Sequence, residues 1–290
     1  AARAAPRAAR SSGASAALPK HCLVGDIAVL SPGADPSHAA ALLSPRVRVV
    51  AAKEAACSGR LRAPRLRVLA GEPRLETTHV EWGQRLRLDM NTCFFTPRLQ
   101  AERQRISRLV RPGERVLVLY SGVGVWPVIL AAHSPAQEVV GVEVNPSAHA
   151  YAEANAEALQ AGRAPCGRVR CVLADAAAAL RAGLGMFDRV IAPRPKDDTT
   201  EEVLAALPHA LLPGGQLHLY GFATASELGP EAVLDPGGDL IRLLGLAGGG
   251  RRFELLRVAR CPRGSIGLQG GRSLYRVAVD LACRAPVLAQ

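Results

Sequence analysis

The 290-residue sequence has no apolar run long enough to cross a bilayer. Apolar stretches such as residues 116–120 and 139–142 have the length of single β-strands, whereas a transmembrane helix needs about 20 apolar residues. Hydrophobic residues nevertheless make up 49% of the chain. The sequence therefore predicts a soluble protein that can bury one large or two ordinary cores, and it excludes a disordered or collagen-like chain.

Cys-x-x-Cys pairs are also missing. Structural zinc sites favour two cysteines separated by two to four residues, with two further ligands, and no Cys-x-x-Cys occurs here. Cys166 and Cys171 are separated by four residues but have no histidine nearby. We therefore expect reduced thiols and no metal at the seven cysteines, which are Cys22, Cys57, Cys93, Cys166, Cys171, Cys261 and Cys283.

Acidic residues are scarce, with 25 against 36 basic ones, which gives a net charge of +11 and predicts a polyanionic partner. Residues 1–20 contain no acidic residue at all. An acid-free, Arg- and Ser-containing N-terminus is typical of an organellar transit peptide. This segment is predicted to be a disordered or targeting tail, with a mitochondrial or plastid location if it targets the protein and a cytoplasmic one otherwise.

The rest of the chain divides into two regions. Residues 21–92 hold short apolar segments between polar turns, at 22–30, 47–52, 66–70 and 85–88, which predicts a small α+β domain. In the second region, residues 93–290, a helical spacing covers 97–112, and strands then alternate with helices, which requires parallel strands with helical crossovers. The predicted strands are 116–120, 138–142, 168–173, 189–192 and 216–220, and the predicted helices are 125–133, 146–160, 176–182 and 199–212.

A helix around 236–245 and two closing strands, at 253–258 and 275–281, follow this alternation. Two strands after the fifth parallel one favour a seven-stranded, mostly parallel, Rossmann-like sheet of the methyltransferase type over a plain dinucleotide fold. The fold class is therefore α/β, preceded by the small α+β domain.

A glycine turn directly follows the first strand of this sheet. In open α/β sheets ligands bind outside the carboxyl ends of the strands, and Glu143 lies 21 residues after Gly122, at the end of the second strand, where a carboxylate can accept hydrogen bonds from ribose hydroxyls. Asp175 ends the third strand and is placed to hold an adenine amino group. The predicted cofactor site comprises Tyr120, Ser121, Gly122, Gly124, Glu143, Val144, Asn145, Asp175 and Ala176.

The third glycine of a dinucleotide motif is absent from this turn. After Gly122 and Gly124 come the bulky Trp126 and then Pro127, so the chain lacks the close helix packing of a pyrophosphate site. S-adenosylmethionine is therefore favoured over a nicotinamide dinucleotide. The remaining alternatives are a nicotinamide-dependent dehydrogenase and a turn that only stabilises the fold.

Arg98 and Glu102 are four residues apart in the predicted helix and share one of its faces. This spacing fits an exposed ion pair as well as a catalytic pair, and by itself it does not decide between them.

Short motifs occur in a fixed order along the chain. They are Gly-Asp-Ile-Ala at 25–28, Glu-Thr-Thr-His at 76–79, Phe-Thr-Pro-Arg-Leu at 95–99, Glu-Arg at 102–103, Tyr-Ser-Gly-Val-Gly at 120–124, Val-Glu-Val-Asn-Pro at 142–146, Asp-Arg-Val-Ile at 188–191 and Gly-Gly-Gln-Leu-His-Leu-Tyr at 214–220. This series resembles the TRM5/TYW2 family of tRNA guanine-37 modifying enzymes. The resemblance implies a class I methyltransferase domain that transfers the methyl group of S-adenosylmethionine to N1 of guanosine 37, next to the anticodon.

The resemblance also implies roles for individual residues. Glu102 corresponds to the family's general base, Arg98 and Arg103 to residues that hold the guanine and its phosphate, and Arg62 to a residue that stabilises charge on guanine O6. The chemistry agrees, because guanine N1 carries a proton that a base must accept and O6 becomes more negative as it leaves. A methyl sulfonium is already activated, so no metal is expected.

The loop after the fourth parallel strand departs from the family pattern. It often reads Asn-Leu-Pro, with the Asn binding the target base, whereas residues 192–196 read Ala-Pro-Arg-Pro-Lys. Pro193, Pro195 and Lys196 are the expected substrate contacts, but proline supplies no side-chain amide, so another residue or the carbonyl of Ala192 must replace it.

Two other functions remain open at this point. One is transfer of the aminocarboxypropyl group of the same cofactor in wybutosine synthesis, against which Arg98 and Leu99 look methyltransferase-like. The other is a non-catalytic RNA-binding protein with a methyltransferase fold. The expected partner is the tRNA anticodon stem-loop with G37, and basic residues at 46–74 and 98–115 are expected to contact its backbone in a salt-sensitive way.

Overall fold

The computed structural model describes residues 18–31, 34–55, 59, 61–162, 166–194, 201–224, 252–261, 267–269 and 272–284. Within these ranges, no helix is long and apolar enough to span a membrane. The helix predicted around 236–245 and residues 1–17 of the predicted tail lie outside the described residues.

A four-stranded sheet begins the described chain. The segment predicted as one apolar unit, 22–30, is instead two antiparallel strands, because the chain reverses at Gly25, whose φ is +56° and whose Cβ, if present, would lie 2.1 Å from Thr77 Oγ1. The four strands of this sheet lie side by side in the order in which they occur in the chain. They are β1 His21–Val24, β2 Ile27–Leu30, β3 Val49–Ala55 and β4 Arg65–Gly71, with a 3₁₀ helix at Pro36–Leu42 between β2 and β3.

A hairpin and a helix lie between this sheet and the larger one. The hairpin consists of β5 Glu76–Glu81 and β6 Gln84–Asp89. The helix predicted over 97–112 is shorter: Pro97–Leu99 forms a 3₁₀ turn, started by Thr96 Oγ1, which accepts from Arg98 N at 3.3 Å, and α1 covers Gln100–Leu109.

The large sheet follows the predicted alternation of strands and helices. Strand order is β12-β14-β11-β10-β7-β8-β9, with a short β13 paired to β14. The strands β7 to β11 are parallel and the two closing strands are antiparallel. The elements are β7 Arg115–Leu119, α2 Val125–His133, β8 Glu138–Glu143, α3 Pro146–Gln160, β9 Arg168–Leu173, α4 Ala176–Arg181, β10 Phe187–Pro193, α5 Glu201–Ala210, β11 Leu211–Thr224, β12 Arg252–Arg260, β13 Gly267–Gln269 and β14 Arg272–Arg284.

Close contact between α2 and the sheet does not depend on a third glycine in the turn. Pro127 occupies that position, and the room is provided on the strand side by Gly141, where a Cβ would lie 2.9 Å from Pro127 Cγ and 3.0 Å from Ser121 Oγ. A glycine in β8 therefore provides the space that a third glycine in the turn would otherwise provide.

A buried ion pair joins the hairpin to α1. Arg103 Nε and Nη2 each donate to the Glu81 carboxylate at 2.5 Å, and the two side chains are 1% and 0% exposed. The Arg103 guanidinium also lies 5.7 Å from the centre of the Trp126 ring. The hairpin thereby fixes the start of α1 against α2, where the pocket described below is formed.

Candidate active site

A pocket lies at the carboxyl ends of β7, β8 and β10, between the large sheet and the segment that follows β6. Parallel strands of an open α/β sheet end at a common edge, where ligands usually bind. Six of the nine predicted cofactor residues line this pocket: Tyr120, Ser121, Gly122, Glu143, Val144 and Asn145.

The glycine turn after β7 bends the backbone away from the pocket floor. Tyr120, Gly122 and Gly124 have φ values of +54°, +57° and +81°. A Cβ on Gly122 would come near only Phe94 O, at 3.7 Å, so the space beside this glycine belongs to the pocket. At Gly124 a Cβ would lie 3.1 Å from the backbone of Ala152, so this glycine allows α2 and α3 to pack closely. Gly124 therefore supports the turn without lining the pocket.

The Glu143 carboxylate organises the loops around it. Oε2 accepts a hydrogen bond from Gly122 N at 2.7 Å, and Oε1 accepts from Val144 N and Asn145 N at 3.0 and 2.8 Å. Each carboxylate oxygen has two lone-pair sites, so Oε2 retains acceptor capacity towards the pocket. The position is compatible with a bound ribose hydroxyl.

Asn145 connects the cofactor loop to the preceding domain. Its Oδ1 caps α3 by accepting from Ser147 N and Ala148 N, while Nδ2 donates to Leu61 O at 3.1 Å and Thr92 O at 2.8 Å. This side chain is buried. The two regions predicted from the sequence therefore meet at the pocket.

Asp175 and Ala176 are not among the pocket-lining residues. Asp175 Oδ1 instead caps α4, accepting from Ala178 N at 3.1 Å. A role for Asp175 in holding an adenine amino group therefore stays a prediction.

Aromatic side chains supply the apolar walls of the pocket. Phe94, Phe95, Trp126 and Phe222 line it, and the sequence analysis assigned none of them to the site. Phe94 remains 38% exposed. Flat apolar walls with few polar groups are typical of sites for small planar ligands.

Four arginines line the pocket. Arg62 and Arg103 were expected there, whereas Arg194 and, from β14, Arg276 were not. The Arg276 guanidinium lies 4.7 Å from the centre of the Phe222 ring. Burial is the main reason that the pKa of Arg276 falls to about 10, and repulsion by Arg98, Arg103 and Arg62 adds to it. A cation held close to other cations favours an anionic ligand.

Glu102 lies behind this wall and not in it. The side chain is buried, and Oε2 accepts from Arg105 Nε and Nη2 at 2.9 and 2.8 Å and from the Tyr220 hydroxyl at 3.1 Å. The exposed Arg98–Glu102 ion pair considered from the spacing is wrong, since Arg105 is the partner. Burial, together with the Glu102 charge, raises the pKa of Tyr220, which stays a donor.

The loop after β10 is described only in part. Pro193 and Arg194 line the pocket. Arg194 N donates to Ala192 O at 2.9 Å across Pro193, so this carbonyl already accepts a hydrogen bond within the loop. Pro195 and Lys196 lie outside the described residues.

Within the described part of the chain, no group of three His, Cys, Asp or Glu side chains is placed to bind a metal ion. The six cysteines in that part are free thiols, and Cys57 lies outside it.

Comparison with known proteins places these features in a known context. A family model described as the TRM5/TYW2 methyltransferase domain matches residues 77–235, starting in β5. The tRNA (guanine(37)-N(1))-methyltransferase Trm5b of Pyrococcus abyssi is 33% identical over 192 residues, which cover 66% of this chain and 52% of that protein. This chain thus spans about half the length of that relative.

One further relative and one solved structure show the range of similarity. The tRNA(Phe) (4-demethylwyosine(37)-C(7)) aminocarboxypropyltransferase of Methanocaldococcus jannaschii is 30% identical over 94 residues, 32% of this chain and 37% of that protein. The crystal structure of Trm5b from Pyrococcus abyssi superposes with a TM-score of 0.73 at 26% identity, covering 92% of this chain and 75% of that one.

Proposed function

The chain belongs to the TRM5/TYW2 methyltransferase family, and from this premise we propose that it is a tRNA (guanine-37-N1)-methyltransferase that uses S-adenosylmethionine. The observation that carries the proposal is one pocket in which a glycine turn, the Glu143 carboxylate, aromatic walls and four arginines meet, with the buried Glu102 behind it.

The pocket fits the cofactor through its own residues. Glu143 Oε2 has acceptor capacity for ribose hydroxyls, Gly122 leaves room beside it, and Phe94, Phe95 and Val144 offer apolar surface for a purine. When bound, S-adenosylmethionine supplies an electrophilic methyl group. Glu143, Gly122 and the aromatic side chains would hold its adenosine part at the carboxyl ends of the strands.

Glu102 is proposed to accept the proton of guanine N1. Its Oε2 is occupied by Arg105 and Tyr220, whereas for Oε1 the nearest cation in the described residues is Arg257 Nη2, at 3.8 Å. Oε1 is therefore the oxygen available to a substrate. Leu99 and Arg103, on either side of Glu102 in the chain, line the pocket, so we propose that the carboxylate turns into it when guanine enters; catalytic hydrogen bonds commonly tighten only in the complex.

The arginine side of the pocket is proposed to bind the anionic parts of the nucleotide. Arg62 and Arg276, which line the pocket, are proposed to donate to guanine O6 and to a flanking phosphate, while Arg103 is held by Glu81. Arg98 lies outside the lining but adds positive charge at Arg276. Guanidinium groups suit this task because they bind phosphate oxygens with two parallel hydrogen bonds.

The distribution of charge supports tRNA as the substrate. Residues 46–74 hold eight basic against two acidic residues, 98–115 hold six against two, and 251–284 hold eight against two, whereas 116–220 hold seven against ten. The positive charge thus lies before residue 116 and in the region of the closing strands, and not in the region 116–220 of the parallel strands. These segments are proposed to contact the backbone of the anticodon stem-loop.

Aminocarboxypropyl transfer is the second candidate, because one relative carries that name. The two reactions use different carbons of the same cofactor and can be separated by label. Unmodified tRNA transcripts incubated with the protein and cofactor labelled in the methyl group should become labelled, whereas cofactor labelled in the carboxyl group should leave the RNA unlabelled. Transfer of the carboxyl label to tRNA that carries 4-demethylwyosine at position 37, the nucleoside in that relative's name, without methyl transfer to the unmodified transcript, would replace the first proposal by the second. No transfer to either RNA would favour a non-catalytic RNA-binding protein.

Arg276→Gln should raise the KM for tRNA by about tenfold to a hundredfold, because a hydrogen bond to a charged group contributes about 1.5–3 kcal/mol. The kcat should change less. Steady-state kinetics with a G37 transcript measures both constants. The control is Arg284→Gln, on the same strand, where the arginine is exposed and paired with Glu254. Equal KM values for both variants would remove Arg276 from substrate binding.

A further inference from the structure

The buried carboxylate of Asp280, in β14, is hydrogen-bonded to the same guanidinium as Glu102. Arg105 Nη1 donates to Asp280 Oδ2 at 2.9 Å and Nη2 to Oδ1 at 3.1 Å, while Nε and Nη2 of Arg105 also donate to Glu102. The Arg105 guanidinium is therefore held from two sides, by carboxylates that are 175 and three residues away in sequence.

His218, which is neutral, is the second hydrogen-bond partner of Asp280. Its Nδ1 lies 2.7 Å from Asp280 Oδ1, and its Nε2 lies 2.6 Å from Arg189 Nη1. Because a guanidinium only donates, Nε2 is the acceptor and Nδ1 carries the proton that is donated to Asp280. Burial accordingly lowers the pKa of His218. Burial alone would raise the pKa of Asp280, but hydrogen bonds from His218 and Arg105 bring it to about 2, so this carboxylate stays charged.

Glu102 is surrounded by two cations and a hydroxyl donor. Arg105 from α1, Arg257 from β12 and the Tyr220 hydroxyl from β11 surround it. The nearby Cys261 thiol is neutral, since burial and the Glu102 charge raise its pKa to about 12. Two cations thus lie beside the single Glu102 carboxylate. Asp280 contacts both, with Arg257 Nη1 at 3.6 Å from its Oδ2, and so balances the charge.

We propose that Asp280 is a positioning residue for methyl transfer: it fixes Arg105 and offsets the charge of Arg105 and Arg257, so that Glu102 can take the proton from guanine N1. This inference rests on the proposed function. It also gives a role to the series of hydrogen-bonded side chains Arg189, His218, Asp280 and Arg105, which the reaction otherwise does not use.

Asp280→Asn keeps the shape and one acceptor oxygen but removes the charge. We expect kcat to fall about tenfold or more and the acid limb of the kcat–pH profile to move to lower pH by about one unit or more, because Glu102 loses a neighbouring negative charge. The KM values for tRNA and cofactor should stay nearly unchanged. Asp280→Glu, which restores the charge, should recover most of the rate.

Glu114→Gln is the matched control at the far end of the same chain of contacts. It also removes a nearly buried carboxylate, which accepts from Arg189 Nε at 2.9 Å, but it does not touch Arg105. Its stability should fall while its acid limb stays in place. An Asp280→Asn profile that coincides with that of Glu114→Gln would overturn the proposal.

Arg257→Gln is expected to have the opposite effect. Arg257 is partly exposed, so this substitution should disturb folding less than one at the buried Asp280. Removal of this cation should move the acid limb to higher pH. A shift to lower pH, or none, in the folded variant would contradict the charge balance.

Protonation can also be followed without turnover. The glutamate carboxyl carbons are labelled for NMR, and the signal that is missing in Glu102→Gln is assigned to Glu102. The titration of this signal should move to lower pH in Asp280→Asn and to higher pH in Arg257→Gln. If the wild-type protein transferred no methyl group, the proposed function would fail while these shifts still decided the present inference. Unmoved titrations in an active enzyme would overturn the inference alone.

Discussion

Glu102→Gln should slow methyl transfer by roughly a hundred- to ten-thousand-fold, which is the range attributed to general bases. The amide can still accept from Arg105 and Tyr220, so the local packing is retained, but it cannot take a proton. Single-turnover rates with saturating tRNA and cofactor measure the chemical step directly. Cofactor affinity, measured by calorimetry, should stay nearly unchanged because Glu102 does not line the pocket.

The control for this variant is Glu157→Gln, an exposed glutamate on α3 that is distant in sequence from α1 and outside the pocket lining. It should match the wild-type rate. An undiminished rate in Glu102→Gln would show that water or another group accepts the proton, and the base would then have to be sought among other residues near the arginine wall.

Glu81→Gln should destabilise the protein by about 3–5 kcal/mol, since removing one partner of a buried pair leaves an uncompensated buried charge. Arg103 is 1% exposed and has no second carboxylate among the contacts of the described residues. Urea unfolding followed by circular dichroism measures the loss. The pocket should be affected as well, because Arg103 forms part of its wall, so the KM for tRNA should rise in the variant that remains folded.

Glu76→Gln is the matched control on the same hairpin. Glu76 pairs with Arg87 at 2.7 Å, but both side chains are about half exposed or more, and exposed ion pairs contribute little. Its unfolding midpoint should therefore stay close to that of the wild type. Similar losses in both variants would mean that the hairpin itself, and not the buried pair, is sensitive to charge.

The sequence predicted most of the large sheet because burial of parallel strands leaves a strong pattern. Helices 125–133 and 146–160 and strand 168–173 agree with the structure to the residue. The end of α1 was placed too late, because charged residues continue the helical spacing beyond Leu109 while the backbone leaves the helix at Val110. The reversal at Gly25 was missed because apolar residues continue on both sides of it.

The cofactor side of the site was predictable and the substrate side only partly so. Gly122 and Glu143 follow successive strands, and strand ends meet at one edge, so local sequence indicated their proximity. Arg276 and Asp280 come from the closing strand, more than 170 residues after Glu102, and only the antiparallel pairing of β14 with β11 brings them to α1. Neither lies in a motif, and no spacing signal reports such a contact.

The most direct test of the account is to map the product nucleoside on matched transcripts. A tRNA with guanosine at position 37 and one with adenosine there, otherwise identical, are incubated with the protein and S-adenosylmethionine, and the digests are analysed by mass spectrometry. The account predicts 1-methylguanosine at position 37 of the first transcript and no methylation of the second. Methylation at another nucleotide, or an aminocarboxypropyl adduct in place of the methyl group, would contradict it.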